Sequence, residues 1–218
     1  GNGWYRLSVS GSVTNGNFVA LSPQDGDGST GVTSVNGATI YLWGAQLETG
    51  LRMTSYISNS TTGTATRAAD VLSVPLANIP GFNAAGYTLF AAGRLDTLDA
   101  NTRPFAVVSD GTTNNRVQLY AQSNGVSTGI VAAGGVSQAV VGSINPVLTR
   151  NKSALSVAEN AVKISCNGSA SPEDTAAAMP TGLTMLYVGA NAVGVGQFNG
   201  FIFRAGLIPQ ALTQAQIN

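Results

Sequence analysis

Asp110, Asn114, Asn115 and Arg116 fall within seven consecutive positions, and Tyr120 follows four residues later. Sugar recognition calls for a flat aromatic or guanidinium surface against a pyranose face, with amide and carboxylate groups for its hydroxyls. This stretch supplies both kinds, so these five residues are the candidate glycan-binding set. The same residues also fit a solvated hairpin tip with Arg116 tied to Asp110. A second oxygen-rich cluster, Asp96, Asp99 and Asn101, lies on a loop beyond a strand-like run. Oxygen-rich loops of this kind could hold calcium, though no cofactor is expected. A plain solvated loop is the other reading. Asp25-Gly26-Asp27-Gly28 shows part of a calcium loop but lacks the third acidic position and the distal glutamate, and reads equally as a hairpin tip.

Other chemistries are closed by composition. The chain has no histidine and a single cysteine, Cys166. Ser-His-Asp and Cys-His nucleophilic arrangements are therefore impossible, as are His-based zinc sites and Cys clusters. Glycoside hydrolysis usually needs two carboxylates roughly 5–10 Å apart. Here the ten acids sit mostly in loops and turns, and the adjacent Glu173-Asp174 after Pro172 reads as a turn. The Gly-rich stretches lack the lysine and following helix of a phosphate-binding loop. No catalytic residue is assigned.

The elements that must position the candidates are strands. Runs rich in β-branched and aromatic residues recur at Val71-Leu76, Tyr87-Gly93, Arg103-Ser109, Asn115-Ser123, Thr128-Ala132, Ala139-Gly142, Ala154-Ala158, Ala161-Cys166, Thr184-Gly189 and Asn199-Ile208. Asn167-Gly168 predicts a two-residue hairpin turn with positive φ at both positions. Asp110-Gly111 opens a longer hairpin loop. Cys166 shares a strand face with Val162 and Ile164, which reads as a core thiol. Thr213 and Gln216 have capping-box spacing for a C-terminal helix. Upstream, alternating runs at Trp4-Ser10, Asn17-Leu21 and Thr39-Trp43 are too few to close a sandwich, and packing is the better role for Trp4 and Trp43. A polar Ser/Thr/Gly stretch follows. The expected organisation is part of a β-sandwich over 1–50, a linker over 51–66 and a complete β-sandwich over 67–218.

Charged residues make up 9% of the chain, against about 25% in ordinary soluble domains, and 27 of its 218 residues are glycine. That is the profile of turn-dense β structure. Ten Lys+Arg balance ten Asp+Glu, so no long-range field steers the protein to nucleic acid or an anionic membrane. No apolar run approaches the ~18 residues of a spanning helix. Gly1-Asn2-Gly3-Trp4 has neither a starting Met nor the basic-plus-apolar region of a signal peptide, so the expectation is a piece of a longer chain without one.

The string Trp43-Gly44-Ala45-Gln46-Leu47-Glu48, then Thr54-Ser55-Tyr56-Ile57, then Thr66-Arg67-Ala68-Ala69-Asp70, resembles the join between two β-sandwich modules in tailed-bacteriophage tail and fibre proteins. Ser109-Asp110-Gly111-Thr112 with Asn115-Arg116-Val117, Lys163 to Gly168, and Val188-Gly189-Ala190 with Phe198-Asn199-Gly200 are similar to landmarks of the module after that join. The resemblance covers most of 67–218. It implies an all-β fold, a concanavalin A-like (laminin-G-like) jelly roll preceded by the C-terminal part of a carbohydrate-binding-module-like sandwich. It further implies a non-enzymatic virion tail or fibre component, homotrimeric, partnered by other virion tail proteins and by host-surface polysaccharide. A purely structural spacer or capping module is the alternative, and a glycan depolymerase the third and weakest.

Overall fold

The computed structural model describes residues 3–11, 39–48, 53, 55–59, 63–65, 71–98, 100–146, 149–194 and 196–218. The chain divides into two compact units, Gly1–Ala68 and Ala69–Asn218.

In the second unit the apolar alternation becomes eleven strands: β1 (Leu72–Pro75), β2 (Gly86–Leu95), β3 (Arg103–Ser109), β4 (Arg116–Ala121), β5 (Val126–Ala133), β6 (Val136–Pro146), β7 (Asn151–Ala158), β8 (Ala161–Cys166), β9 (Ser169–Ala170), β10 (Met185–Val188) and β11 (Gly200–Ile208). They pair antiparallel as a six-stranded sheet, β1-β10-β3-β4-β5-β6, and a five-stranded sheet, β11-β2-β7-β8-β9. The period of two decides what each sheet buries. On β4, Val117, Leu119 and Ala121 face inward and are fully buried, while Arg116, Gln118 and Tyr120 point to the opposite side. Facing them across the core stand Tyr87 and Leu89 of β2, Leu155 and Val157 of β7 and Ile164 of β8. Each large side chain removed from water contributes roughly 1.5–3 kcal/mol. Cys166 is buried on β8, as its alternation with Val162 and Ile164 predicts.

The turns follow their chemistry. Asn167 and Gly168 have φ of 50° and 80° in the two-residue β8–β9 turn. The Asn167 side chain also accepts the Lys152 amide at 2.9 Å. After β11 the chain returns over the outer face of the five-stranded sheet. Buried Thr88 donates to the Gln210 carbonyl (2.8 Å) and accepts the Leu212 amide (3.1 Å), and Ser156 donates to the Leu212 carbonyl (2.8 Å). This strap ends in a short helix, α1 (Gln214–Ile217), capped by Thr213 and Gln216 in the anticipated box.

Tyr87 is wholly buried, its ring 5.4 Å from that of Phe82, and its hydroxyl has no partner among the described residues. Burial pushes the phenol far above its ordinary range, so it stays protonated. A buried, unpaired hydroxyl costs about 1–3 kcal/mol. Tyr87→Phe should therefore raise the urea midpoint, worth about 1 kcal/mol at unchanged m-value. A clear loss of stability would show that the hydroxyl has a buried partner.

In the first unit, described residues 43–57 form a clasp. The Trp43 and Tyr56 rings lie 4.7 Å apart, and Gln46 Oε1 accepts the Ile57 amide at 2.8 Å. Gly44, at φ +69°, has the Tyr56 ring 3.3 Å from where a Cβ would stand, so this position requires glycine. The runs Trp4-Ser10 and Thr39-Trp43, read as strands from alternation, lie in no β-ladder. Alternation marks the faces of a strand but does not supply the neighbour its hydrogen bonds need. Asn17-Leu21 and Asp25-Gly28 lie outside the described residues.

Candidate functional site

The predicted five divide into two groups. Asp110 is held inside its own hairpin loop: Oδ1 accepts the Thr112 amide (2.8 Å) and hydroxyl (2.6 Å), and Oδ2 accepts Asn115 Nδ2 (2.9 Å). Asn115 Oδ1 accepts the Gly134 amide at 2.9 Å, and the Asn114 carbonyl accepts the Gly135 amide at 3.0 Å. The β3–β4 loop is thereby clasped to the β5–β6 turn, where Gly134 and Gly135 take φ of 59° and 82°. Asp110, Asn115 and the Asn114 backbone build this rim. The tie between Arg116 and Asp110 is not made; Arg116 donates instead to the Thr113 carbonyl.

The Thr112 and Asn115 bonds hold the Asp110 carboxyl below its ordinary pKa. Its contribution is complete above the unfolded value, near pH 4, and is lost as pH falls through the lower folded value. Asp110→Asn must turn an NH2 toward one of the two donors. It should cost about 1 kcal/mol at pH 7, a modest figure because the group is open to solvent. The gap to the parent should close below pH 3. A gap that stays constant to pH 2 in urea titrations would contradict this loop chemistry.

Arg116 and Tyr120 have a different setting. With Gln118 between them they line the outer face of β4, in register with Ser109, Val107 and Pro104 on one side and Ala132, Ile130 and Thr128 on the other. Register slips by one residue between Pro104 and Ala106. That slip sends Phe105 into the core against Phe198, at 4.5 Å. Over this face sits the loop between β10 and β11, fixed by Arg103 donating to the Gln197 carbonyl (2.8 Å) and by the Gly189 amide on the Phe105 carbonyl (3.0 Å). Asn191 on that loop closes a pocket of about 160 Å³ with Thr102, Thr113, Arg116, Gln118, Tyr120 and Ile130.

Some of its polar groups are engaged: Arg116 donates to Thr113 and Gln122 bonds Tyr120. Gln118 is only 7% exposed and its amide makes no hydrogen bond to the described residues, but it is not closed off from solvent. Arg116 Nε is buried and unpaired among the described residues. Burial pushes the Tyr120 phenol up, against the opposing pull of Gln122 and Arg116, so it is a neutral donor and acceptor at pH 7. A guanidinium, an amide, a phenol and an apolar wall in one small recess can grip a hydroxylated or carboxylated group. A larger groove of about 580 Å³, lined by Leu76, Ile79, Phe82, Leu183, Thr184 and Met185, carries no charged or amide side chain and so lacks that combination.

Asp96 lies 4.0 Å from the Arg94 guanidinium, Asn101 is exposed, and Asp99 is outside the described residues. Among the described residues no three His, Cys, Asp or Glu groups cluster as a metal site would require. Three further carboxylates serve structure: Glu173 pairs with Lys163 (3.0 Å), Asp174 accepts the Ala176 amide (3.0 Å) and Glu159 the Met179 amide (3.0 Å). No helix among the described residues is long and apolar enough to cross a membrane.

No family model matches the chain, and no curated protein matches it by sequence. Its fold is similar to that of the Ruminococcus gnavus IT-sialidase CBM40, with 16% identity and a TM-score of 0.54 over 67% of this chain and 90% of that one. The same module bound to α2,3 sialyllactose gives 16% and 0.53 over 68% and 95%. The NanB sialidase of Streptococcus pneumoniae gives 12% and 0.53 over 67% of this chain, but the match spans only 26% of the sialidase. Likeness at this identity establishes the fold, a concanavalin A-like jelly roll of two antiparallel sheets.

Proposed function

We propose that this chain is a non-enzymatic glycan-contacting module that grips a sugar with Arg116, Gln118 and Tyr120 on the outer face of the six-stranded sheet. The observation that carries the reading is the Arg116 guanidinium, its Nε buried and unpaired among the described residues, beside the Gln118 amide and the Tyr120 phenol in one recess. A buried polar group without a partner is costly unless something else bonds it. The similar CBM40 module, solved with sialyllactose, supports a saccharide as that partner. The pocket is small beside the roughly 300–1,000 Å³ of drug-sized sites, which suits one sugar residue or its acidic substituent.

The setting follows the sequence resemblance: a virion tail or fibre, homotrimeric, with other tail proteins as neighbours and host-surface polysaccharide as ligand. Three copies would multiply a modest single-site affinity. One observation favours the spacer reading beside it. Trp4, Tyr41 and Trp43 are 66%, 79% and 75% exposed, and surface of that kind suits packing against sister chains.

The test is binding of the full chain, its oligomeric state recorded by light scattering, to a panel of bacterial surface polysaccharides and sialyllactose, with and without calcium. Saturable binding that pocket variants weaken is the expected result. A well-folded oligomer that binds no glycan would sink the proposal and leave the spacer.

A further inference from the structure

The opposite side of the sandwich carries a second, unrelated surface. The C-terminal strap covers one end of the outer face of the five-stranded sheet, at Thr88 and Ser156. The other end is bare and holds four of the chain's ten Lys and Arg residues: Arg94, Arg150, Lys152 and Arg204. Register brings them together. Arg94 pairs with Phe201, Ala92 lies between Arg204 and Lys152, and Arg150 directly precedes Asn151, the partner of Gly93.

A bulge sets the geometry. Pairing of β11 with β2 slips between Ile202 and Arg204, leaving Phe203 as the extra residue. Phe201, Phe203 and Arg204 are all exposed as a result. The two rings are nearly parallel, at 5°, with centroids 6.1 Å apart. The Arg94 guanidinium sits over Phe201 at 5.4 Å and that of Arg150 over Phe203 at 5.3 Å. Each ring thus helps hold a guanidinium in place. Arg94 Nε is buried and unpaired among the described residues, while the side chain as a whole is 39% exposed. Asp96, 4.0 Å from Arg94, is the single carboxylate ion-paired to these four cations among the described residues.

We infer that this face binds an acidic polysaccharide, its carboxylate or sulfate groups taken by the ring-stacked Arg94 and Arg150 and by Arg204 and Lys152. Pre-oriented guanidinia meet such groups in a bidentate way and lose little freedom in doing so. The cations occupy three adjacent strands, roughly 10 Å across, wide enough to engage acidic groups on successive sugars. A nucleic-acid surface would need a longer basic track and a net positive field, whereas this chain has a net charge of zero.

The experiment uses the full chain carrying Arg116→Gln, so that the pocket on the other sheet does not contribute. Alginate, a polyuronate, is the probe and neutral dextran the control, with affinity followed against salt. Alginate binding should weaken about tenfold in each of Arg150→Gln, Arg204→Gln and Phe203→Ala, with a shallower salt dependence for the two charge variants. Arg150→Lys should fall between. These residues are exposed, and circular dichroism of each variant confirms folding. Absent or variant-insensitive alginate binding would overturn the inference. So would equal or tighter binding of single-stranded DNA, or self-association abolished by Phe203→Ala, which would make the face a contact between copies.

Discussion

Gly129→Val should destabilise the jelly roll by about 3 kcal/mol or more, and adding Leu155→Ala in the same chain should cost less than that change costs in the parent. Gly129 sits on the inward side of interior strand β5, between Leu119 and Val141 in register. A Cβ there would stand 2.3 Å from Leu155 Cδ1 and 3.1 Å from Cγ. Leu155 is fully buried and cannot swing away without displacing its neighbours. Overpacking of this kind costs ~1–3 kcal/mol, sometimes more, while Leu155→Ala alone leaves a cavity costing ~2–5 kcal/mol. In the double variant the valine occupies part of the space the leucine leaves, so the two costs should fall short of their sum by about 2 kcal/mol. At ~2–4 °C per kcal/mol, Gly129→Val should lower Tm by roughly 10 °C. Strict additivity in thermal unfolding would mean that the two sheets do not face each other in this register.

Where strand-forming residues run unbroken between turn signals, the structure follows them to the residue: β3 is Arg103–Ser109 and β8 is Ala161–Cys166, as anticipated. Where the inward positions are polar, strands run longer than expected. Strand β7 opens at Asn151 and β5 at Val126, because Ser127, Ser153 and Asn151 turn inward and bond one another, with Asn151 Nδ2 left unpaired among the described residues. Ser127 and Ser153 hydroxyls lie 2.7 Å apart, and Ser153 donates to Asn151 Oδ1 at 2.6 Å. A local reading cannot anticipate a polar chain that closes across two sheets. The two-residue strand β9 carried no signal beyond its turn.

The site was partly legible for the same reason. Arg116 and Tyr120 were legible by residue type, and strand period would have added Gln118, since Val117, Leu119 and Ala121 mark the other face. Asn191 and Thr102 reach the pocket from loops far apart in sequence, which no local pattern could pair. Asp110 and Asn115 are engaged within their own loop. Short polar side chains beside a glycine turn suit a ligand or their own backbone equally well, and here the backbone takes them.

Replacing Gln118 with leucine should separate stability from binding more sharply than any other change in the pocket. The side chain is 7% exposed and its amide makes no hydrogen bond to the described residues, so the fold does not depend on that amide. Leucine has a similar size, and Gln118→Leu should leave stability within about 1 kcal/mol of the parent. Glycan affinity should meanwhile fall at least tenfold, because the sugar loses the donor and acceptor that fix its orientation. Arg116→Gln removes a charge-assisted bond worth ~1.5–3 kcal/mol, or roughly 10- to 100-fold in affinity, without touching the core face of β4. Calorimetric titration of both variants with whichever glycan binds, beside their urea melts, gives the two readings. If Gln118→Leu destabilises the fold and binds normally, the amide is structural and the pocket is not the site. If it melts like the parent while binding collapses, the amide serves the ligand and not the fold.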